Sequence, residues 1–117
     1  MQALFGFSQN QTGGGARMVD LHSEPVDHLF RAILKLETME DCYRFFEDIC
    51  TIKEIRDISQ RLSIASMLSK GMNYQSIARA SDASSATISR VNRCLNYGSG
   101  GYRAVLDKLE EQASAEA

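Results

Sequence analysis

Apolar side chains recur every three or four residues from Ser23 onward, and no segment alternates between apolar and polar residues over a useful length. This period predicts helices and no strand. Ser23 can cap the first helix and Thr38 opens the second, while residues 51–54 (Thr-Ile-Lys-Glu) form a capping box that begins the third. Gly71 ends that third helix. We predict six helices. The first two begin near residues 23 and 38, and the other four span about 52–70, 74–80, 85–96 and 102–113.

Length and composition allow one packed domain. The chain has 117 residues, of which 44% are hydrophobic, and we assign the helical domain to residues 23–113. Residues 1–22 are polar and glycine-rich, so we predict a flexible extension, and an expression-vector origin for the part before Met18 is left open. No apolar run approaches the roughly 20 residues of a membrane helix. A cytoplasmic protein with no membrane partner is therefore expected.

The segment 74–95 has the residue types of a helix-turn-helix, in which two short helices meet at a tight turn. Its positions that must be apolar, small or buried are occupied by Ile77, Ala78, Ala83, Ile88 and Val91. The turn position requires a left-handed backbone, which Asp82 tolerates. Ser81 departs from the pattern, because an apolar residue is usual there.

The second helix of this unit has a surface suited to a DNA groove. Ser84 can cap it, and its outward positions are small, hydroxyl-bearing or basic, which allows close entry and phosphate contacts. From Lys70 to Arg103 there are five basic residues and one acidic residue, a net charge of +4, although the whole chain carries −2. The predicted DNA-binding residues are Gln75, Ser84, Ser85, Ala86, Ser89, Arg90 and Arg93.

Several stretches also carry a family resemblance. The segments Arg61–Leu68, Tyr74–Ala78 and Ala86–Arg93 resemble the tryptophan repressor superfamily. Tyr43–Asp48 and Asn92–Gly98 are typical of its YerC/YecD-type branch. The resemblance implies an intertwined all-helical homodimer with two DNA-reading heads and a role in transcriptional repression.

A second copy of the chain is also expected from the residues themselves. The first two predicted helices have wide apolar faces, and a chain of this length has few other helices to cover them. In a symmetric dimer, these faces would pack on their copies, and two reading heads would address half-sites roughly 34 Å apart. The predicted dimer-interface residues are Phe30, Leu34, Phe45, Phe46 and Ile49.

The resemblance further implies an effector site. In the repressor two arginines enclose the indole of the corepressor beside a threonine, and Arg61, Arg90 and Thr87 stand at the matching positions. Two departures argue against tryptophan itself: Val91 replaces a glycine and Cys94 replaces a serine. Binding of another small-molecule corepressor stays a possible role for this site. Arg61 has a simpler alternative role, an ion pair with Asp57 four positions earlier, and we favour this ion pair over a ligand-binding role for Arg61.

Catalysis and metal binding are not predicted. No Cys/His set has zinc spacing, no serine has a nearby histidine base, and the acidic residues are spread around the helices. We expect Cys42, Cys50 and Cys94 to be buried thiols of a reducing compartment. Two functions besides DNA binding stay open. One is a helix-turn-helix adaptor on transcription or DNA-packaging machinery, and the other, less supported, is RNA binding, for which an aromatic platform is missing.

Overall fold

A computed structural model describes residues 21–116, and in this part of the chain it contains six helices and no strand. The predicted all-α class is confirmed, and only the last helix extends well beyond its predicted end. The predicted extension lies outside the described residues, except for its last two. None of the helices is both long and apolar enough to cross a membrane. The helices are α1 (Glu24–Ile33), α2 (Met39–Ile49), α3 (Ile52–Ser69), α4 (Tyr74–Ser81), α5 (Ser85–Tyr97) and α6 (Gly101–Glu116).

Side-chain caps begin the helices where the sequence indicates them. The Ser23 hydroxyl accepts from the Val26 backbone N–H at 3.4 Å. At α3 the Thr51 hydroxyl accepts from the Glu54 N–H at 3.1 Å, and the Glu54 carboxylate accepts from the Thr51 N–H at 2.8 Å. These bonds satisfy backbone donors that the first turn of a helix leaves unpaired. The predicted capping box is therefore confirmed.

The start of α2 is stabilised by a carboxylate. The Asp41 side chain accepts from the Glu37 backbone N–H at 3.1 Å and from the Thr38 N–H at 3.3 Å, while the Thr38 hydroxyl accepts from the Asp41 N–H at 3.0 Å. The hydrogen bond from Glu37 is the main cause that lowers the pKa of Asp41 below its ordinary value. The ionised carboxylate thus favours the helical start.

Gly71 ends α3 with a left-handed turn. Its φ is +86°, a region that residues with a Cβ rarely adopt. The Gly71 N–H donates to the Leu68 carbonyl at 3.0 Å, and the Met72 N–H donates to the Met67 carbonyl at 3.1 Å. This pair of bonds is a Schellman motif, and it turns the chain from α3 into α4.

The described chain consists of two compact units, which meet in sequence between Phe46 and Glu47. The first unit holds α1 and most of α2, and neither helix has a buried side chain in the single chain. Phe45 and Phe46 are half-buried and contact each other edge to face, with ring centroids 5.4 Å apart. Leu34 is 81% exposed. The apolar faces of this unit are therefore largely open in the protomer.

The structure corrects the expectation for the cysteines. Cys42 and Cys94 are exposed, and Cys50 is only half-buried. Helical period placed them beside apolar residues, but the period alone does not show whether another element covers that side. The thiols were wrongly predicted to be buried in the single chain.

The core of the second unit joins α3, α4 and α5. Ile64 and Ala65 of α3, Ile77 of α4 and Ile88 and Val91 of α5 form one cluster, each with at most 1% of its surface exposed. Each buried Ile or Val contributes roughly 1.5–3 kcal/mol relative to an exposed one. The described part of α6 adds Tyr102 and Leu106 at the edge of the cluster. Two short helices that would be unstable alone are thereby held on α3.

The turn between α4 and α5 has the predicted backbone. Asp82 has φ 59° and ψ 27°, which is the left-handed region, and its N–H donates to the Ala78 carbonyl at 2.8 Å. Ala78 is half-buried against the core cluster, as expected of the small position where the two helices cross. The helix-turn-helix geometry inferred from residue types is therefore present.

Ser81, which departs from the usual apolar residue, is the centre of a hydrogen-bond network at this turn. Its hydroxyl donates to the Ile77 carbonyl at 2.7 Å and accepts from the Ala83 N–H at 3.3 Å. The Gln60 side-chain amide of α3 donates to the Ser81 carbonyl at 3.0 Å. Because each polar group has a partner, the serine is accommodated at a half-buried position. The amide of Gln60 also ties the turn directly to α3.

We expect Gly71→Ala to lower the free energy of unfolding by roughly 1–2 kcal/mol, because alanine pays the steric cost of the left-handed backbone. A Cβ at this position would meet nothing within 4 Å, so the cost is one of backbone conformation alone. Urea unfolding followed by circular dichroism measures it. The control is Gly101→Ala in the first turn of α6, where φ is not positive, and its stability should be unchanged or slightly higher. Equal stability of the two variants would contradict the role given to Gly71.

We expect Gln60→Leu to lower the free energy of unfolding by roughly 1–3 kcal/mol, because it keeps the side-chain bulk but leaves the Ser81 carbonyl without its donor. The matched control is Gln112→Leu, which changes an exposed glutamine near the end of α6. Chemical denaturation of both variants gives the comparison. If Gln60→Leu is as stable as the control, the hydrogen bond from Gln60 to Ser81 does not stabilise the turn.

Candidate nucleic-acid interface

One side of α5 is buried and the opposite side is open. Ile88, Val91 and Leu95 are the buried residues of this helix, and their spacing places them on one stripe. The residues between them are exposed, except for the half-buried Asn92. All of the predicted DNA-binding residues are exposed, which are Gln75 on α4, Ser84 before α5, and Ser85, Ala86, Ser89, Arg90 and Arg93 on α5.

The N-terminal end of α5 is capped by a neutral side chain. The Ser84 hydroxyl accepts from the Thr87 backbone N–H at 3.2 Å and donates to the Thr87 hydroxyl at 3.1 Å. Ser85 and Ala86 follow and add little bulk. An uncharged cap keeps the positive end of the helix dipole available to an anion, and small side chains allow close approach.

The arginines of α5 are not neutralised by the described part of the chain. Arg90 and Arg93 are exposed and form no ion pair or hydrogen bond with any described residue. Within residues 21–116 the ion pairs lie on α1 and α3 instead. Four-residue spacing also puts Arg93 one turn after Ser89 on the same face. The outward face of α5 thus joins small polar side chains to free positive charge.

A third cation adjoins this helix and was missing from the predicted site. The Arg103 guanidinium of α6 donates to the Asn96 side-chain oxygen at 3.0 Å. The Asn96 amide nitrogen in turn lies 2.9 Å from the Asn92 carbonyl and 3.0 Å from the Asn92 side-chain oxygen, and donates to both. The Asn92–Asn96 spacing could have been noted in the sequence. The contact with Arg103 depends on how α6 folds back after the glycines that follow α5.

The residues of the expected effector site line neither of two surface grooves in the second unit. Arg61 is exposed on α3, and the Thr87 hydroxyl already binds Ser84. Two surface grooves of about 420 and 480 Å³ occur in the second unit, lined by α3 and α6 and by the α5–α6 connection, and neither includes Arg61, Thr87 or Arg90. The effector assignment stays a prediction from the resemblance.

The alternative expectation for Arg61, an ion pair with Asp57, is wrong. Asp57 accepts from the Lys53 ammonium at 2.8 Å, one turn earlier on α3, and it forms no ion pair with Arg61. The hydrogen bond from Lys53 is the main cause that lowers the pKa of Asp57, and the charge of Arg61 is a smaller cause. The pKa of Lys53 is raised by the same contact. Arg61 therefore acts on Asp57 only through its charge.

The described residues contain no group of three or more His, Cys, Asp or Glu side chains that could hold a metal ion. The site consists of hydroxyl, amide and guanidinium groups on exposed helix surfaces. Such groups bind anions and base edges, and they offer no paired acid and base for proton transfer.

Comparison with known proteins adds relatives of the whole helical region. The uncharacterized protein YerC of Bacillus subtilis strain 168 is 50% identical over 91 residues, which cover 78% of this chain and 88% of YerC. A crystal structure of a candidate Trp repressor from Staphylococcus aureus aligns with a TM-score of 0.75 at 48% identity, covering 77% of this chain and 90% of that one. A TrpR-like protein from Eubacterium eligens ATCC 27750 also aligns with a TM-score of 0.75, at 50% identity over 77% of this chain and 93% of its own.

The family profile described as Trp repressor protein matches residues 24–110, from the first residue of α1 to far into α6. The match includes the helix-turn-helix and all of the predicted site residues. The resemblance inferred from the sequence is confirmed: the chain belongs to the Trp repressor family of helical regulators.

Proposed function

We propose that the protein is a homodimeric transcription regulator that binds specific double-stranded DNA sequences through α5 and represses the genes it controls. The observation that carries this proposal is the outward face of α5. It presents Ser85, Ala86 and Ser89, followed by the unpaired Arg90 and Arg93, while the other side of the helix is buried. An α-helix with these dimensions and side chains fits the major groove.

The outward face of α5 separates two kinds of contact. Its first turns bear short side chains, which allow the backbone to approach base edges and phosphates. Arg90 and Arg93 have enough length to reach a guanine edge or a phosphate. Gln75 lies in the first turn of α4, the helix that crosses the DNA backbone in this motif, and its amide can donate to a phosphate.

A homodimer is supported by the apolar surface of the first unit. In the first unit Phe30 is 51% exposed and Leu34 81%, and Ile49, which follows the unit boundary at the end of α2, is 50% exposed. Clusters of large apolar side chains are rarely left in water by a monomer. A second copy of the chain would cover them symmetrically and would give two reading heads, which accords with membership in this family.

The proposal includes a small-molecule corepressor only as an open extension. Arg61 and Arg90 make no hydrogen bond with other described residues, so their donors remain available to a ligand. Tryptophan is not proposed, because Val91 and Cys94 replace the glycine and serine of the tryptophan-binding pattern.

The first test is fluorescence-anisotropy binding to a pool of random duplexes at two salt concentrations, followed by sequencing of the retained DNA. A regulator of this kind should retain a palindromic motif, and its affinity should fall steeply with salt because bound phosphates release counterions. No retained DNA at low salt would overturn the proposal and favour a protein-binding adaptor.

We expect Arg90→Ala to weaken duplex binding by roughly 1–3 kcal/mol, because a base or phosphate contact of the reading helix is lost. The measurement is the dissociation constant for the selected duplex. Lys108→Ala is the control, since it also removes one exposed positive charge but lies on α6 outside the motif. An equal loss in both variants would mean that net charge alone determines the affinity.

We expect Leu34→Asp to shift the protein from dimer to monomer at micromolar concentration, because a carboxylate would be buried in an apolar interface. The side chain is 81% exposed in the protomer, so the substitution should leave the helices themselves intact. Sedimentation velocity checks the mass, with Lys35→Gln as a neighbouring control that makes the same change in charge. A dimeric Leu34→Asp variant would show that the interface lies elsewhere.

A further inference from the structure

The side chain of Arg103 is directed away from its own helix. Arg103 lies in the first turn of α6, and Asp107 stands one turn later, at the spacing that favours an ion pair along a helix. No such pair forms. The guanidinium instead reaches across to α5 and donates to the Asn96 oxygen at 3.0 Å.

Asn96 is itself held in one orientation. Its amide nitrogen donates to both the carbonyl and the side-chain oxygen of Asn92, at 2.9 and 3.0 Å. With the nitrogen engaged toward Asn92, the amide oxygen is left to accept from Arg103. The three residues therefore form a directed chain of hydrogen bonds that runs from the middle of α5 to α6.

This chain of hydrogen bonds gives Arg103 no ion pair, although Asp107 and Glu110 line the same groove. Its partner is a neutral amide, and no acidic side chain of the described residues pairs with it. A guanidinium has five N–H donors, and a single hydrogen bond to Asn96 leaves most of them available. Arg103 is also exposed, so these donors can meet a ligand from solvent.

The position of this charge continues the proposed interface. Asn96 follows Arg93 by three residues, so the two lie on neighbouring positions of the α5 surface. Asn92 is half-buried beside the stripe of Ile88, Val91 and Leu95, and Asn96 is exposed one turn later, at the edge of the outward face. The guanidinium of Arg103 thus adds a cation from α6 beside the arginines of the reading helix.

We infer that Arg103 binds a DNA phosphate at the flank of the reading helix and that Asn96 is its positioning residue. This inference rests on the proposed function. The hydrogen bond to Asn96 orders the flexible Arg103 side chain before binding, which lowers the entropy cost of ordering it on the DNA. Because Arg103 would contact the DNA backbone and not a base, it contributes to affinity for every DNA sequence alike.

The test is a double-mutant cycle measured by fluorescence anisotropy, with a labelled duplex of mixed sequence that is long enough for two half-sites. Arg103→Ala should weaken binding roughly 3- to 10-fold and should lower the slope of log affinity against log salt by about 0.9 for each protomer bound. Asn96→Ala should weaken binding by a smaller factor in the unaltered chain and by nothing in the Arg103→Ala background. Alanine has a higher helix propensity than asparagine, so α5 should stay folded.

Asn96→Asp gives a second, opposite test. Its carboxylate would pair with Arg103 and repel a phosphate, so binding should be weaker than for Asn96→Ala. Lys108→Ala serves as the control for the loss of one exposed charge from α6 and should change affinity and salt slope less than Arg103→Ala.

The outcomes separate this inference from the proposed function. If the unaltered chain binds and Arg90→Ala weakens it, but Arg103→Ala matches Lys108→Ala, the phosphate contact is overturned while DNA binding stands. Additive effects of Asn96→Ala and Arg103→Ala would overturn the positioning role of Asn96. Failure of the unaltered chain to bind any duplex at low salt would overturn both proposals.

Discussion

The packing of Ile88 and Val91 against Ile64 and Ile77 is the interaction on which the rest of the second unit depends. These four side chains are almost completely buried, and they come from three different helices. α4 has only eight residues, too few to be stable in isolation, so its helical form depends on this contact. Burial of one side of α5 also decides which side faces outward, and the outward side is the one with the serines and arginines.

The turn between α4 and α5 shows how a polar residue can take an apolar place. Ser81 satisfies its hydroxyl within the turn, and its carbonyl receives the Gln60 amide from α3. Asp82 adopts the left-handed backbone that the crossing of the helices requires. The angle between α5 and the helices that it packs on, α3 and α4, is thus stabilised by hydrogen bonds in addition to core packing.

The first unit has a different character. Its helices are well capped and amphipathic, yet their apolar sides remain open in the protomer. Local rules are therefore satisfied while burial is not. A small domain gains stability chiefly from buried area, so the open apolar sides of this unit contribute little to the stability of the single chain. Exposure of Cys42 has the same origin.

Local features were determined by the sequence alone. The six helices, their caps at Ser23 and Thr51, the stop at Gly71 and the left-handed Asp82 all follow from period and from residues within four positions of one another. Membership in the Trp repressor family also follows from the motifs.

Only the tertiary structure decided the contacts between distant residues. Gln60 meets Ser81 across 21 positions. Spacing also left two equal partners for Asp57, and the structure shows that it binds Lys53 and not Arg61. Arg103 donates to Asn96 of α5, although Asp107 is nearer to it in the sequence of its own helix. Periodicity shows which side of a helix is apolar, but only packing shows what lies against it.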